Sequence, residues 1–164
     1  MIKKSKQKKE VIIFLYNIRS VHNAGAIMRT ADAIGASQII FGGYTPAPVD
    51  RFGRTRKDFT KASLGAEYSV LWKIVPDPDQ ELKNLQEAGC RIIAVEQAKH
   101  SVDYKNIEIQ HPKTVVVFGN EPEGLPPSVL KLADIVAEIP MHGKKESLNV
   151  SVAAGIILYR WFDT

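Results

Sequence analysis

A chain of 164 residues, 45% apolar and 24% charged, has the composition of one soluble globular domain and is too short for two of ordinary size. Its one cysteine, Cys90, excludes an internal disulfide framework and suits a reducing compartment. The net charge of +4 is confined to the start: residues 1–10 hold five lysines and one glutamate, leaving 17 basic and 17 acidic residues over 11–164.

Lys3, Lys4, Lys6, Lys8 and Lys9 repel one another and lack apolar spacing, so residues 1–10 read as a solvated basic tail ahead of a single domain over 11–164. The apolar run that follows, Val11–Tyr16, is too short for the core of an export signal or for a membrane span, which points to a cytoplasmic protein with no membrane partner. The same run is β-favouring throughout and suits a strand buried on both faces. Val21–Ile34 then reads as a helix with Ile27, Ala31 and Ile34 on one face and Gly35 past its end. Gln38–Phe41 is the next strand.

Tyr44 to Lys57 forms a long loop in which Arg51, Arg54, Arg56 and Lys57 surround Phe52 and Gly53. Loops of this length are usually functional, and cations interleaved with an aromatic suit RNA, because guanidinium groups meet phosphates and a ring stacks on a base. Phe59–Leu64 is expected to be a short helix and Ser69–Trp72 a strand. Asp77-Pro78 opens a helix, Asp as N-cap and Pro at the first helical position, and Gly89 ends it. Arg91–Glu96 is a buried strand that follows Cys90, so the thiol reads as a core residue. A polar excursion through Tyr104 and His111 leads to the strand Thr114–Phe118, a short helix from Pro127 to about Leu132, a strand over Asp134–Ile139 and a long apolar helix to Phe162 that opens at Ser147, with Asn149 in its first turn. Strands alternate with helices without an internal repeat, the pattern of an α/β domain with a mainly parallel sheet flanked by helices.

Several chemistries are excluded by spacing. No Gly-x-Gly-x-x-Gly follows a strand, and Gly119 to Gly124 has the glycine spacing of a phosphate-binding loop but continues Leu125-Pro126 where Lys and Ser or Thr are needed. His22, His100, His111 and His142 are scattered and no set has metal-ligand spacing, so no metal is expected.

Three stretches carry a resemblance: Asn23-Ala-Gly-Ala-Ile-Met-Arg29-Thr-Ala, Phe118-Gly-Asn-Glu121-Pro-Glu-Gly-Leu125, and Ile139-Pro-Met-His-Gly-Lys-Lys-Glu-Ser147-Leu-Asn149. Together and in this order they resemble the signature motifs of the SpoU family of RNA 2'-O-ribose methyltransferases, within the SPOUT superfamily, over about Val11 to Tyr159. The resemblance implies a homodimer, an α/β domain with a C-terminal trefoil knot, and methyl transfer from S-adenosylmethionine to a ribose 2'-hydroxyl of tRNA or rRNA. Carboxylates in a glycine loop would repel a phosphate but suit a donor with a positive sulfonium and ribose hydroxyls. A nucleophilic cysteine, needed for covalent base methylation, is absent from the motifs, which leaves direct transfer.

The resemblance also assigns roles. The donor is expected between three loops, those at Val95 and Glu96, at Gly119 and Asn120, and from Ile139 to Leu148, with Ile139, Met141 and Leu148 as apolar surface for the adenine. Arg29 matches the arginine implicated in activating the attacking hydroxyl. A guanidinium is a poor proton acceptor, so its expected part is to hold phosphate and stabilise the developing alkoxide. Asn23 is expected to orient Arg29 or the substrate, Glu121 to anchor Arg29 or a substrate hydroxyl, Ser147 to position the nucleotide and Asn149 to brace the loops. Pro122 departs from the family's frequent glycine and stiffens its loop. The rival reading is a catalytically silent RNA-binding module of the same fold, against which the joint presence of Arg29, Glu121, Ser147 and Asn149 speaks.

Overall fold

A computed structural model describes residues 9–163. The lysines expected to form the tail, except Lys9, lie outside the described residues. Lys9 donates through Nζ to the Ile109 carbonyl at 2.6 Å, and Glu10 already belongs to the first strand.

Seven parallel strands form one sheet: β1 (Glu10–Tyr16), β2 (Gln38–Gly42), β3 (Trp72–Val75), β4 (Arg91–Val95), β5 (Val102–Asp103), β6 (Lys113–Phe118) and β7 (Ile135–Glu138), in the spatial order β3-β2-β1-β6-β4-β7-β5. Among the described residues the α-helices are α1 (Val21–Ala33), α2 (Lys57–Ser63), α3 (Pro78–Glu87), α4 (Pro127–Leu132) and α5 (Val150–Phe162). The continuous apolar runs of β1 and β6 are explained by burial on both faces. Ile13, Leu15, Val116 and Phe118 pack on the side of α1, α2 and α5, whereas Ile12, Phe14, Val115 and Val117 meet Leu82 of α3 and Val129 of α4. Cys90 sits in the second layer. Burial and the nearby Glu10 push its thiol up, against a smaller opposing effect of Lys113, which suits a structural thiol.

Two expected elements move. The strand expected over Ser69–Trp72 begins only at Trp72, because a 3-10 turn at Ala66–Tyr68 takes the N–H groups of Ser69 and Val70 onto the Ala66 carbonyl. The last helix opens at Val150 rather than Ser147. Asn149 caps it by accepting from the Ser151 N–H at 2.9 Å, which leaves Ser147 and Leu148 in the preceding loop. A third element, the two-residue β5, lies within the polar excursion and is too short to show apolar alternation.

Register sets the position of the site. Leu15 and Val95 both pair with Phe118, and Val95 also pairs with Ala137, so β1, β6, β4 and β7 end side by side. The loops after all four strands therefore crowd one edge of the sheet, the C-terminal edge where open α/β sheets hold ligands.

Candidate active site

At that edge lies a cavity of about 540 Å³, within the range of small-molecule sites. The expected Val95, Glu96, Gly119, Asn120, Ile139, Met141 and Leu148 all line it, together with Glu121, Ser147 and Asn149. Phe118, Glu123 and Glu146 of the quoted motifs line it too, as do Gln97, Glu138 and Ala153, which the sequence did not single out. Their signal is positional: Gln97 and Glu138 stand at the ends of parallel strands, and Ala153 faces in from the first turn of α5.

Two glycines make room for the cavity loop. A Cβ on Gly119 would lie 2.7 Å from Leu125 Cγ and 2.8 Å from the Gly124 carbonyl carbon. Gly124 has φ +69°, a left-handed conformation, and a Cβ there would collide with the Glu96 carboxylate. The loop is closed by the Gly124 N–H donating to the Asn120 carbonyl at 2.8 Å.

Hydrogen bonds tie the three sequence motifs together. Glu121 accepts from the Arg19 N–H at 2.9 Å, the Ser20 N–H at 3.2 Å and Asn23 Nδ2 at 2.9 Å. The buried Asn23 in turn accepts at Oδ1 from Asn149 Nδ2 at 3.2 Å, while Asn149 Oδ1 caps α5. Partial desolvation of the otherwise exposed Glu121 carboxyl would raise it, but the donors at Arg19, Asn23 and Ser20 outweigh that and hold the group below the ordinary carboxylate range. A loop, the start of α1 and the start of α5 are thus fixed to one carboxylate and two amides.

Some polar groups expected to meet the donor are already engaged. Glu96 accepts from the Leu125 N–H and the Gln97 N–H, both at 2.9 Å. Asn120, a buried part of the cavity wall, donates to the Asn17 carbonyl at 2.8 Å and the Tyr44 hydroxyl at 2.5 Å. Both act as braces that shape the loops. Gln97 Nε2 donates to the Glu146 carbonyl at 2.8 Å and holds the third loop against the first.

Arg29 is not brought to this cavity, nor to Glu121. It lies exposed on α1, six residues or about 9 Å beyond Asn23, and lines a separate groove with His22, Lys61, Leu64 and Tyr159. Within the chain Glu121 instead anchors Asn23 and the α1 start. His142 is exposed in the third loop. Among the described residues no group of three or more His, Cys, Asp or Glu is placed to hold a metal ion, and no helix is long and apolar enough to cross a membrane.

The cationic loop forms a hairpin away from the cavity. Arg54 pairs with Asp50 at 2.8 Å and Arg56 with Asp58 at 2.9 Å, whereas Arg51 and Lys57 carry no ion pair among the described residues. The hydrogen bond from the Arg54 backbone, joined by those from the Arg54 side chain and the Phe52 backbone, outweighs an opposing desolvation and lowers the Asp50 carboxyl. Lys57 belongs to the first turn of α2 rather than to the loop.

The SpoU rRNA Methylase family profile matches residues 10–159. A tRNA (guanosine(18)-2'-O)-methyltransferase of Aquifex aeolicus is 37% identical over 154 residues, 94% of this chain and 69% of that protein. Among solved structures, the AdoMet-bound rRNA methyltransferase of Sinorhizobium meliloti superposes with a TM-score of 0.84 at 32% identity, over 94% of this chain and 56% of that one. The A. aeolicus TrmH/SpoU tRNA modifying enzyme superposes with a TM-score of 0.80 at 34% identity, over 94% and 75%. A profile match over nearly the whole chain, the three motifs joined by hydrogen bonds at one sheet edge, and the shared fold have one conclusion: this chain belongs to the SpoU rRNA methylase family.

Proposed function

We propose that this chain is an S-adenosylmethionine-dependent RNA 2'-O-methyltransferase that acts on tRNA or rRNA as a cytoplasmic homodimer. The observation that carries the reading is the hydrogen-bond chain through Asn23 that joins Glu121 and Asn149, both lining the 540 Å³ cavity. The relatives' names supply the two RNA classes: the A. aeolicus protein is a tRNA methyltransferase and the S. meliloti structure an rRNA methyltransferase.

The cavity's chemistry fits the donor. Ile139, Met141 and Leu148 offer apolar surface for a purine, Gly119 lets backbone come close, and Glu121, Glu123, Glu138 and Glu146 favour a cation and hydroxyl donors over a phosphate. S-adenosylmethionine supplies an electrophilic methyl group on a positively charged sulfur. The residues of the chain do the rest by position. Glu121 and Asn23 lock the start of α1 against the cavity loop, Asn149 fixes the turn into α5, and Ser147, exposed at the cavity rim, positions the acceptor nucleotide. Arg29 holds the adjoining phosphate, which accepts the 2'-hydroxyl proton, and stabilises the 2'-oxygen as that proton leaves.

Arg29 performs that role in the centre of a second subunit. Val152, Ile156 and Tyr159 of α5 are 50%, 37% and 46% exposed and follow one another at helical spacing, an apolar stripe in need of cover. Tyr159 of that stripe lines the same groove as Arg29, so covering the stripe brings the guanidinium to a partner. The lone buried cysteine and an RNA substrate support the cytoplasmic location.

The test is a transcriptome-wide comparison of 2'-O-methyl sites in tRNA and rRNA from cells with and without the gene. A ribose position that resists alkaline cleavage only when the protein is present is the expected result. Identical maps would overturn the proposal.

A further inference from the structure

A second groove, of about 560 Å³, is lined by Tyr44, Ile74 and Phe52 with Arg51, Arg54 and Arg56. Its apolar members are conspicuously open: Tyr44 is 59%, Phe52 66% and Ile74 46% exposed. An apolar floor rimmed by three guanidinium groups marks an interaction surface rather than a scatter of single exposed residues.

The hairpin that carries Phe52 is built rather than loose. Asp50 accepts from the Phe52 N–H at 2.8 Å, the Arg54 N–H at 3.0 Å and Arg54 Nε at 2.8 Å, and the Asp50 N–H donates to the Arg54 carbonyl at 2.9 Å. That folding places the Arg51 and Arg54 guanidinium carbons 4.7 and 5.1 Å from the Phe52 ring centroid. The groove is also joined to the reaction centre. The Tyr44 hydroxyl accepts from Asn120 Nδ2 at 2.5 Å, and Asn120 precedes Glu121 in the cavity loop.

A ligand for this surface must present flat apolar faces and negative charge at close spacing. Unpaired RNA does both, because a free base stacks on an exposed ring while its phosphates meet the flanking cations, whereas a duplex keeps its base faces buried. We propose that the Tyr44–Phe52 groove binds an unpaired segment of the substrate RNA next to the methylated nucleotide, with one base stacked on Phe52 and its phosphates held by Arg51 and Arg54. The inference rests on the RNA methyl-transfer reading above. It makes Phe52 a specificity-determining residue that selects loops over helices.

The experiment uses the full chain and a fluorescently labelled ten-nucleotide RNA of mixed sequence, free or annealed to its complement. The parent is expected to bind the single strand at least about ten-fold tighter than the duplex. Phe52→Ala should weaken single-strand binding by roughly ten-fold or more without changing its salt slope, and Phe52→Trp should restore it. Arg51→Ala should instead lower the log-log salt slope by about 0.7. Calorimetric S-adenosylmethionine binding equal to the parent's in all three variants shows that they are folded. Parental single-strand affinity in Phe52→Ala, or a duplex bound as tightly as the single strand, would overturn the groove. A parent that transfers no methyl group to RNA from cells lacking the gene would overturn the underlying reading instead, so the two failures are distinguishable.

Discussion

Arg29→Lys is expected to transfer methyl groups about 10² to 10³ times more slowly than the parent, on the order of 3 to 4 kcal/mol of lost transition-state stabilisation, while binding S-adenosylmethionine within a few-fold of it. The loss follows from shape. A guanidinium presents a planar fork that meets a phosphate and the attacking oxygen together, and a lysine offers one point charge on a flexible stem. Donor affinity is spared because Arg29 does not line the donor cavity. If Arg29 works across a dimer, Ile156→Glu should have the same signature. A charge placed in the α5 stripe should give a monomer in sedimentation at micromolar concentration, with transfer reduced and donor binding kept. Near-parental transfer by Arg29→Lys would refute the fork, lost donor binding would make Arg29 a structural residue, and an active monomer would refute the shared centre.

Glu121→Gln is expected to damage both stability and transfer. A glutamine cannot accept from the Arg19 N–H, the Ser20 N–H and Asn23 Nδ2 as a carboxylate does, and its own amide donor would face one of them. The stability loss should be about 1 to 2 kcal/mol, the low end for charge-assisted bonds because the side chain is exposed. Transfer should fall by about 10²-fold, the cost of a misplacement of roughly 1 Å, since Asn23 and the α1 start would no longer be fixed. The pH dependence separates this from a general loss of packing. The folded state lowers the Glu121 carboxyl below its ordinary 4.5, so the carboxylate's contribution is complete above that value and is lost as pH falls through the lowered one. Thermal melts of parent and variant should therefore differ by a constant amount between about pH 6 and 8 and converge in acid. A stability gap that persists at acid pH would contradict the assignment.

Most of the scaffold was legible because two-face burial and helix punctuation are local signals. The apolar runs Val11–Tyr16 and Thr114–Phe118 lie within the two central strands β1 and β6, and Asp77-Pro78 opens α3 with the aspartate accepting from the Gln80 N–H. Errors fell where tertiary hydrogen bonds compete with local preference. Ser147 has the residue type of an N-cap, yet Asn149 takes that place because its amide also reaches Asn23 across 126 positions of sequence. The strand before Trp72 lost its first residues to a 3-10 turn at Ala66. The knot rests on the family resemblance alone, since hydrophobic periodicity determines elements and not threading. At the site, motif positions found the cavity, but they could not tell lining from bracing. Asn120 and Glu96 are engaged with Tyr44, Leu125 and Gln97, and Glu121 holds Asn23 rather than Arg29, because such pairings depend on where distant loops meet.

The most direct test of the activity is to incubate the purified full chain with methyl-tritiated S-adenosylmethionine and RNA from cells lacking the gene, then digest the RNA to nucleosides and separate them. Label is expected in a 2'-O-methylated nucleoside, on the ribose. Label on a base, or no transfer by a protein that binds the donor, would contradict it.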